Sequence, residues 1–127
     1  MTEVLYLINT LNFNTLENKI VIISFISEYK FVNAKKIVRV EAQRAYCIMK
    51  FKDGTEMMIS KSLKEVEEML QGLFFFRCHK SHLVNVNYVE KYFNSEKQCL
   101  VLTNADEVPL APSKKNDLFD FIKTMKF

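Results

Sequence analysis

Phe74 to Tyr92 reads FFFRCHKSHLVNVNYVEKY. The stretch opens and closes as an apolar, β-prone run. Its middle, Arg77-Cys78-His79-Lys80-Ser81-His82, is a block of donors and ionisable groups with no acid inside it. Two strands that leave a sheet at a polar corner and return would give this pattern. On strict strand alternation, Cys78 turns into the core with Phe74 and Phe76, while His79 lies with Phe75 and Arg77.

The same alternation weighs against catalysis. Cysteine beside histidine suggests a nucleophile and its base, but side chains on opposite faces cannot form a dyad. No Gly-rich phosphate loop, G-x-S-x-G elbow or spaced carboxylate set occurs elsewhere. Zinc would need three or four ligands, and His79 and His82 are the only histidines in the chain. No enzyme activity, metal, cofactor or small-molecule substrate is therefore expected.

Length and composition bound the rest. A chain of 127 residues, 49% hydrophobic and 26% charged, with 2 Gly and 2 Pro, has room for one folded domain and little for linkers. Its net charge of +3 decides nothing by itself, so the placement of the 18 basic residues matters more than their sum. The N-terminus MTEVLYLINTL has no basic leader, and the longest apolar run, Ile20 to Ile23, is far too short for a membrane span. Three cysteines without C-x-x-C spacing fit a reducing compartment, so a cytoplasmic protein is expected.

Short strands are expected at Ile20 to Ile26, Ile37 to Val40, Tyr46 to Phe51, Glu56 to Ile59, Phe74 to Cys78, Leu83 to Val86, Val89 to Phe93, Cys99 to Thr103 and Glu107 to Leu110. Turn signals at Asp53-Gly54, Asn94-Ser95 and Asn104-Ala105-Asp106 separate some of them. Ser62-Leu-Lys-Glu65 matches a capping box, and Leu63, Val66, Met69 and Leu70 then share a helical face that ends at Gly72. A second helix over Asn116 to Met125 places Leu118, Phe119, Ile122 and Met125 at helical spacing, with Asn116 or Ser113 able to cap it. A weaker one spans Thr2 to Leu11, where Val4, Leu7, Ile8 and Leu11 share a face that would cover the sheet or receive a partner. The connections are too short for parallel crossovers, so a mainly β, mostly antiparallel domain is expected.

Three strand-connecting loops carry basic and hydroxyl groups without an acid: Gln43-Arg44-Ala45, the Lys80-Ser81 corner, and Ser113-Lys114-Lys115. The acids crowd instead onto the first helix, at Glu65, Glu67 and Glu68, and onto the turn Asp106-Glu107. If the loops share one edge, that edge is positive and suits phosphate or base edges. A rival reading uses the same edge in a non-enzymatic protein-interaction module that binds acidic partners.

The residues also carry a family resemblance. Ile37-Val-Arg-Val-Glu41-Ala42, Tyr46, Asp53-Gly54, Ser62-Leu63, Phe76-Arg77-Cys-His79-Lys-Ser81-His-Leu-Val84-Asn85-Val-Asn-Tyr-Val89 and Val108-Pro-Leu-Ala-Pro-Ser113-Lys114 together resemble the LytTR DNA-binding domain of bacterial transcription regulators. The resemblance sets a domain at 22–127 behind an N-terminal extension at 1–21. It implies an elongated fold of about ten mostly antiparallel short strands with two or three short helices. It further implies loops that enter successive major grooves of double-stranded DNA at imperfect direct repeats and bend it, with self-association possible on repeated sites.

Carried over by position, the contacting segments are those around Arg44 to Tyr46, around Lys80 and Ser81, and Ser113-Lys114-Lys115. Arg44, Lys80 and Lys114 would reach guanine or phosphate. Arg77, His79, Ser81, Ser113 and Lys115 would bond phosphates or brace the loops, and for Arg77 and His79 bracing is at least as good a reading. Asn85 reads as a turn residue bonding its own backbone. Three departures stand out: Arg39 at a usually apolar position, Asn104-Ala105-Asp106 for a commoner Asn-Gly turn, and Lys114 where Arg is frequent. Many regulators of this kind carry a receiver domain; about twenty residues before the match cannot build one, so control by aspartate phosphorylation within these residues is not expected.

Overall fold

The computed structural model describes residues 19–94 and 96–125. The helix expected over Thr2 to Leu11, and most of the extension set at 1–21, lies outside them. Among the described residues there are ten strands, and every pairing between them is antiparallel. The chain divides into two compact units, one running to Lys36 and one from Ile37 onward.

The first unit holds a hairpin of β1 (Ile20–Ser24) and β2 (Tyr29–Asn33). Strand β1 stops short of the expected Ile26 because Phe25 N–H donates to Glu28 O at 2.7 Å and turns the chain. Strand β2 was not expected from the residues of Tyr29–Asn33. Only Val32 of its five residues is buried, so its apolar signal is weak, and pairing with β1 makes it a strand.

The second unit contains two sheets. The five-stranded sheet has the order β5-β4-β3-β7-β6, built from β3 (Ile37–Gln43), β4 (Tyr46–Phe51), β5 (Glu56–Ile59), β6 (Phe75–His79) and β7 (His82–Asn85). The three-stranded sheet has the order β10-β9-β8, built from β8 (Val89–Phe93), β9 (Cys99–Leu102) and β10 (Glu107–Pro109). Val38, Cys78 and Val84 from the first pack with Leu100, Leu102 and Val108 from the second.

Helix α1 (Leu63–Met69) covers β3 and β7. Its capping box forms as expected: Ser62 Oγ accepts from Glu65 N–H at 3.1 Å and Glu65 Oε1 accepts from Ser62 N–H at 3.2 Å. Leu63, Val66 and Leu70 are buried, and each contributes about 1.5–3 kcal/mol by leaving water. Met69 of the expected face is only half-buried.

Helix α2 (Lys115–Thr124) differs from expectation in face and cap. Leu118 is buried and is joined by Phe121 and Met125 against the core, while Phe119 and Ile122 are each 38% exposed. Neither Asn116 nor Ser113 caps the helix, because a 3-10 turn over Pro112–Lys114 runs straight into it and Lys114 takes the cap position without a side-chain bond.

Candidate nucleic-acid interface

The two-residue connection Arg44-Ala45 joins β3 to β4, which pair from Gln43↔Tyr46 downward. Arg44 is exposed and has φ 57°, whereas Ala45 keeps an ordinary negative φ. That is the sign pattern of a type II′ hairpin turn, whose first central position usually belongs to Gly. Lys80-Ser81, also two residues long but without a positive φ, joins β6 to β7 between His79 and His82.

Strand register brings these tips to the same end of the sheet. Strand β7 starts opposite the last part of β3, with Glu41↔His82, and Ala42 N–H donates to Ser81 O at 2.9 Å. The third segment joins the same end from the other side: Ala111 N–H donates to Cys78 O at 2.9 Å, directly before Pro112–Lys114. Arg44, Lys80 and the Ser113–Lys115 segment thus stand along one end of the five-stranded sheet. At about 4.8 Å per strand, the two hairpin tips are about 10 Å apart and Ala111 lies about 17 Å from the Arg44 turn.

Several residues of this end are held by others. Arg77 donates from Nε to His79 O at 3.0 Å, from Nη1 to Glu67 Oε1 at 3.1 Å, and from Nη2 to Lys80 O. It clamps the carbonyls of the Lys80 corner and ties them to α1. His79 Nδ1 accepts from Ser81 N–H at 3.1 Å, which makes the imidazole a second brace. Lys80 itself is exposed and Tyr46 half-buried beside the Arg44 turn. Ser113 is exposed, Lys114 is half-buried, and Lys115 Nζ lies 5.5 Å from the Tyr92 ring centre and 6.0 Å from that of Phe119. Those two rings meet edge to face at 6.1 Å, so Lys115 is drawn toward the aromatic pair.

The alternation argument used against a Cys78–His79 dyad fails at this corner. A β-bulge falls between Arg77 and His79, so Arg77 answers Leu83 while His79 answers His82, and neighbours on β7 face opposite ways. His79 therefore leaves Arg77's face. A different property withdraws the thiol: Cys78 is fully buried, its Sγ lies 3.7 Å from His82 O as a donor, and burial pushes its pKa to about 12.

Sequence reasoning passed over the groups behind the tips. Glu67 was one acid among several on a helix face, and nothing in its spacing marks it as the partner of Arg77. His82 Nδ1 is buried without a hydrogen-bond partner, 3.9 Å from Glu41 Oε1, and burial lowers its pKa, with Glu41 pulling the other way. Arg39 is also buried, with Nε donating to Asp106 Oδ2 at 3.0 Å and Nη1 3.6 Å from Glu41 Oε1. Asn85 makes the expected local bond, accepting from Asn87 N–H at 3.0 Å, and also donates from Nδ2 to Ile37 O at 2.9 Å.

An antiparallel β domain with basic loops gathered at one sheet end is the class of protein these features define. The family profile of the LytTr DNA-binding domain matches residues 27–123. The chain belongs to that family of DNA-binding domains. Its fold is similar to that of a LytTr DNA-binding domain from Bacillus cereus, described as part of a methyl-accepting/DNA response regulator. The TM-score is 0.67 at 23% identity, over 81% of this chain and 95% of that one. A comparison with curated proteins gives no match. No helix among the described residues is long and apolar enough to cross a membrane.

Proposed function

We propose that this protein is a cytoplasmic, sequence-specific transcription regulator that sets the Arg44 turn and the Ser113–Lys115 segment into successive major grooves at imperfect direct repeats. The observation that carries this reading is the gathering of three basic connectors at one sheet end, fixed by the Ala42–Ser81 and Ala111–Cys78 backbone bonds. Arg44, with a planar fork of donors on a projecting turn, reads guanine. Lys114, a point charge, reads less strictly and serves guanine or phosphate. Lys80 and Ser81 bond the backbone between the grooves, and Tyr46, Ser113 and Lys115 add contacts at the margins. Arg77 and His79 position the corner rather than touch DNA.

Reach is compatible with the assignment. The outer connectors are about 17 Å apart along the sheet, and two extended basic side chains of about 6 Å each bring the span near 30 Å. Major grooves on one face of a duplex recur at about 34 Å, a gap that modest bending toward the protein closes.

Selection of bound sequences from a random duplex pool tests the reading directly. A recovered motif with two contacted groups one helical turn apart is expected. For about six phosphate contacts, log affinity should fall against log salt with a slope of roughly −5. Lys80→Ala should lower that slope by about one without altering the preferred sequence. A pool that shows no enrichment over bulk DNA would instead favour a protein-binding edge.

A further inference from the structure

We propose that the interface extends past β4 to a fourth connector, Ser60-Lys61 between β5 and α1, and that Lys61 contacts a backbone phosphate on the outer bank of the groove that Arg44 enters. The inference rests on the DNA-binding reading of the other three connectors and adds a contact that neither charge pattern nor family motif assigned.

Register supplies the placement. Strand β5 pairs with β4 so that Ile59 lies opposite Cys47, which only Tyr46 separates from the Arg44-Ala45 turn. The chain therefore leaves β5 at the same sheet end as the other connectors. Lys61 N–H donates to Ile59 O at 2.9 Å, which bends the backbone immediately beyond the strand. The sheet order then sets the order along the rim: Lys61, Arg44, Lys80, and last the Ser113–Lys115 segment.

Spacing supplies the role. The β5 end lies about 7 Å from the middle of the β3–β4 hairpin on one side, and the Lys80 corner lies about 10 Å from it on the other. A major groove is about 12 Å wide between its phosphate banks. With Arg44 in the groove, Lys61 and Lys80 fall over opposite banks.

Charge is compatible with a phosphate partner. Glu65, whose carboxyl feels the Lys61 charge, is already committed to Ser62, whose N–H and hydroxyl lie 3.2 and 3.1 Å from Oε1. The Ser62 backbone bond is the main cause that holds the Glu65 carboxyl below its ordinary value, and Lys61 is a lesser one. No ion pair forms at Lys61 among the described residues. The end of α1 is not the anchor, since the Glu65 N–H is taken by Ser62.

The test is fluorescence anisotropy of the full chain on a duplex bearing its selected sequence, from 50 to 200 mM salt, after a urea midpoint has shown each variant to be folded. Lys61→Ala should lower the salt slope by about one, so that the wild-type advantage shrinks about threefold over that range while the ranking of sequences stays fixed. Lys61→Arg should keep the wild-type slope. Lys52→Ala, in the β4–β5 turn at the far end of the sheet, should leave the slope unchanged. A wild-type slope for Lys61→Ala beside a lowered slope for Lys80→Ala overturns the fourth connector and leaves the three-loop reading intact. Wild-type slopes for both overturn that reading as well. Equal losses for Lys52→Ala and Lys61→Ala would reduce the effect to net charge and overturn the inference.

Discussion

At Arg44 local stability and binding pull in opposite directions. Its φ of 57° lies in the left-handed region, where a side chain costs roughly 1–2 kcal/mol relative to glycine. Arg44→Gly should raise the urea-unfolding free energy by about 1 kcal/mol. The same change should weaken specific DNA binding by about 1–3 kcal/mol, because the guanidinium that reads the base is lost. A variant less stable than wild type, or one that binds normally, would contradict the role given to this turn. His82 gives a pH dependence whose sign follows from its burial, the leading cause of its lowered pKa. The unfolded chain takes up this proton more readily than the folded one, so stability is fully present above the ordinary histidine pKa of about 6.5 and is lost as pH falls below it. Glu41 opposes the shift, and His79, Arg39 and Lys50 reinforce it. His82→Phe should flatten the dependence of the urea midpoint on pH between about 5 and 7; an unchanged slope would place the linkage elsewhere.

Elements whose signals were local could be read from the sequence, and those decided by distant partners could not. Helix α1 belongs to the first kind, since cap, first turn and apolar face all lie within Ser62–Leu70. Ser62→Ala should cost about 1 kcal/mol in thermal or urea unfolding, and a neutral result would mean that packing on β3 and β7 alone holds the helix. Strand β2 belongs to the second kind, because its strand character comes from β1. The face of α2 does too: Phe119 and Ile122 fit a helical stripe as well as Phe121 does, and only the position of β6 and the core selects Leu118, Phe121 and Met125. The bulge at Arg77–His79 is likewise invisible without β7, which is why strict alternation misplaced His79. Two oddities of sequence explain each other in space. Arg39, at a usually apolar position, donates to Asp106 of the unusual Asn104-Ala105-Asp106 turn, where Ala105 takes φ 73°.

For the whole molecule, the sequence contained the three basic connectors but not their convergence, which depends on β7 pairing with β3 and on Ala111 joining β6. That convergence fixes the geometry a DNA site must meet, and so yields a prediction about DNA rather than protein. A connector span of about 17 Å, extended by side chains, can serve two grooves only when they lie on one face, about one helical turn apart. Inserting five base pairs between the two contacted groups of a selected site rotates one by about half a turn. A single protein then reaches only one group, and anisotropy should show affinity falling well below that of the selected site. Inserting ten restores the face but leaves a gap of about 68 Å, twice the helical repeat and well beyond the same span. One molecule again reaches only one group there, and affinity should stay as low as with the five-pair insertion. Recovery at ten base pairs with one-to-one stoichiometry would require a reach the sheet end does not have. Indifference to the five-pair insertion would mean that the connectors do not act together from one face.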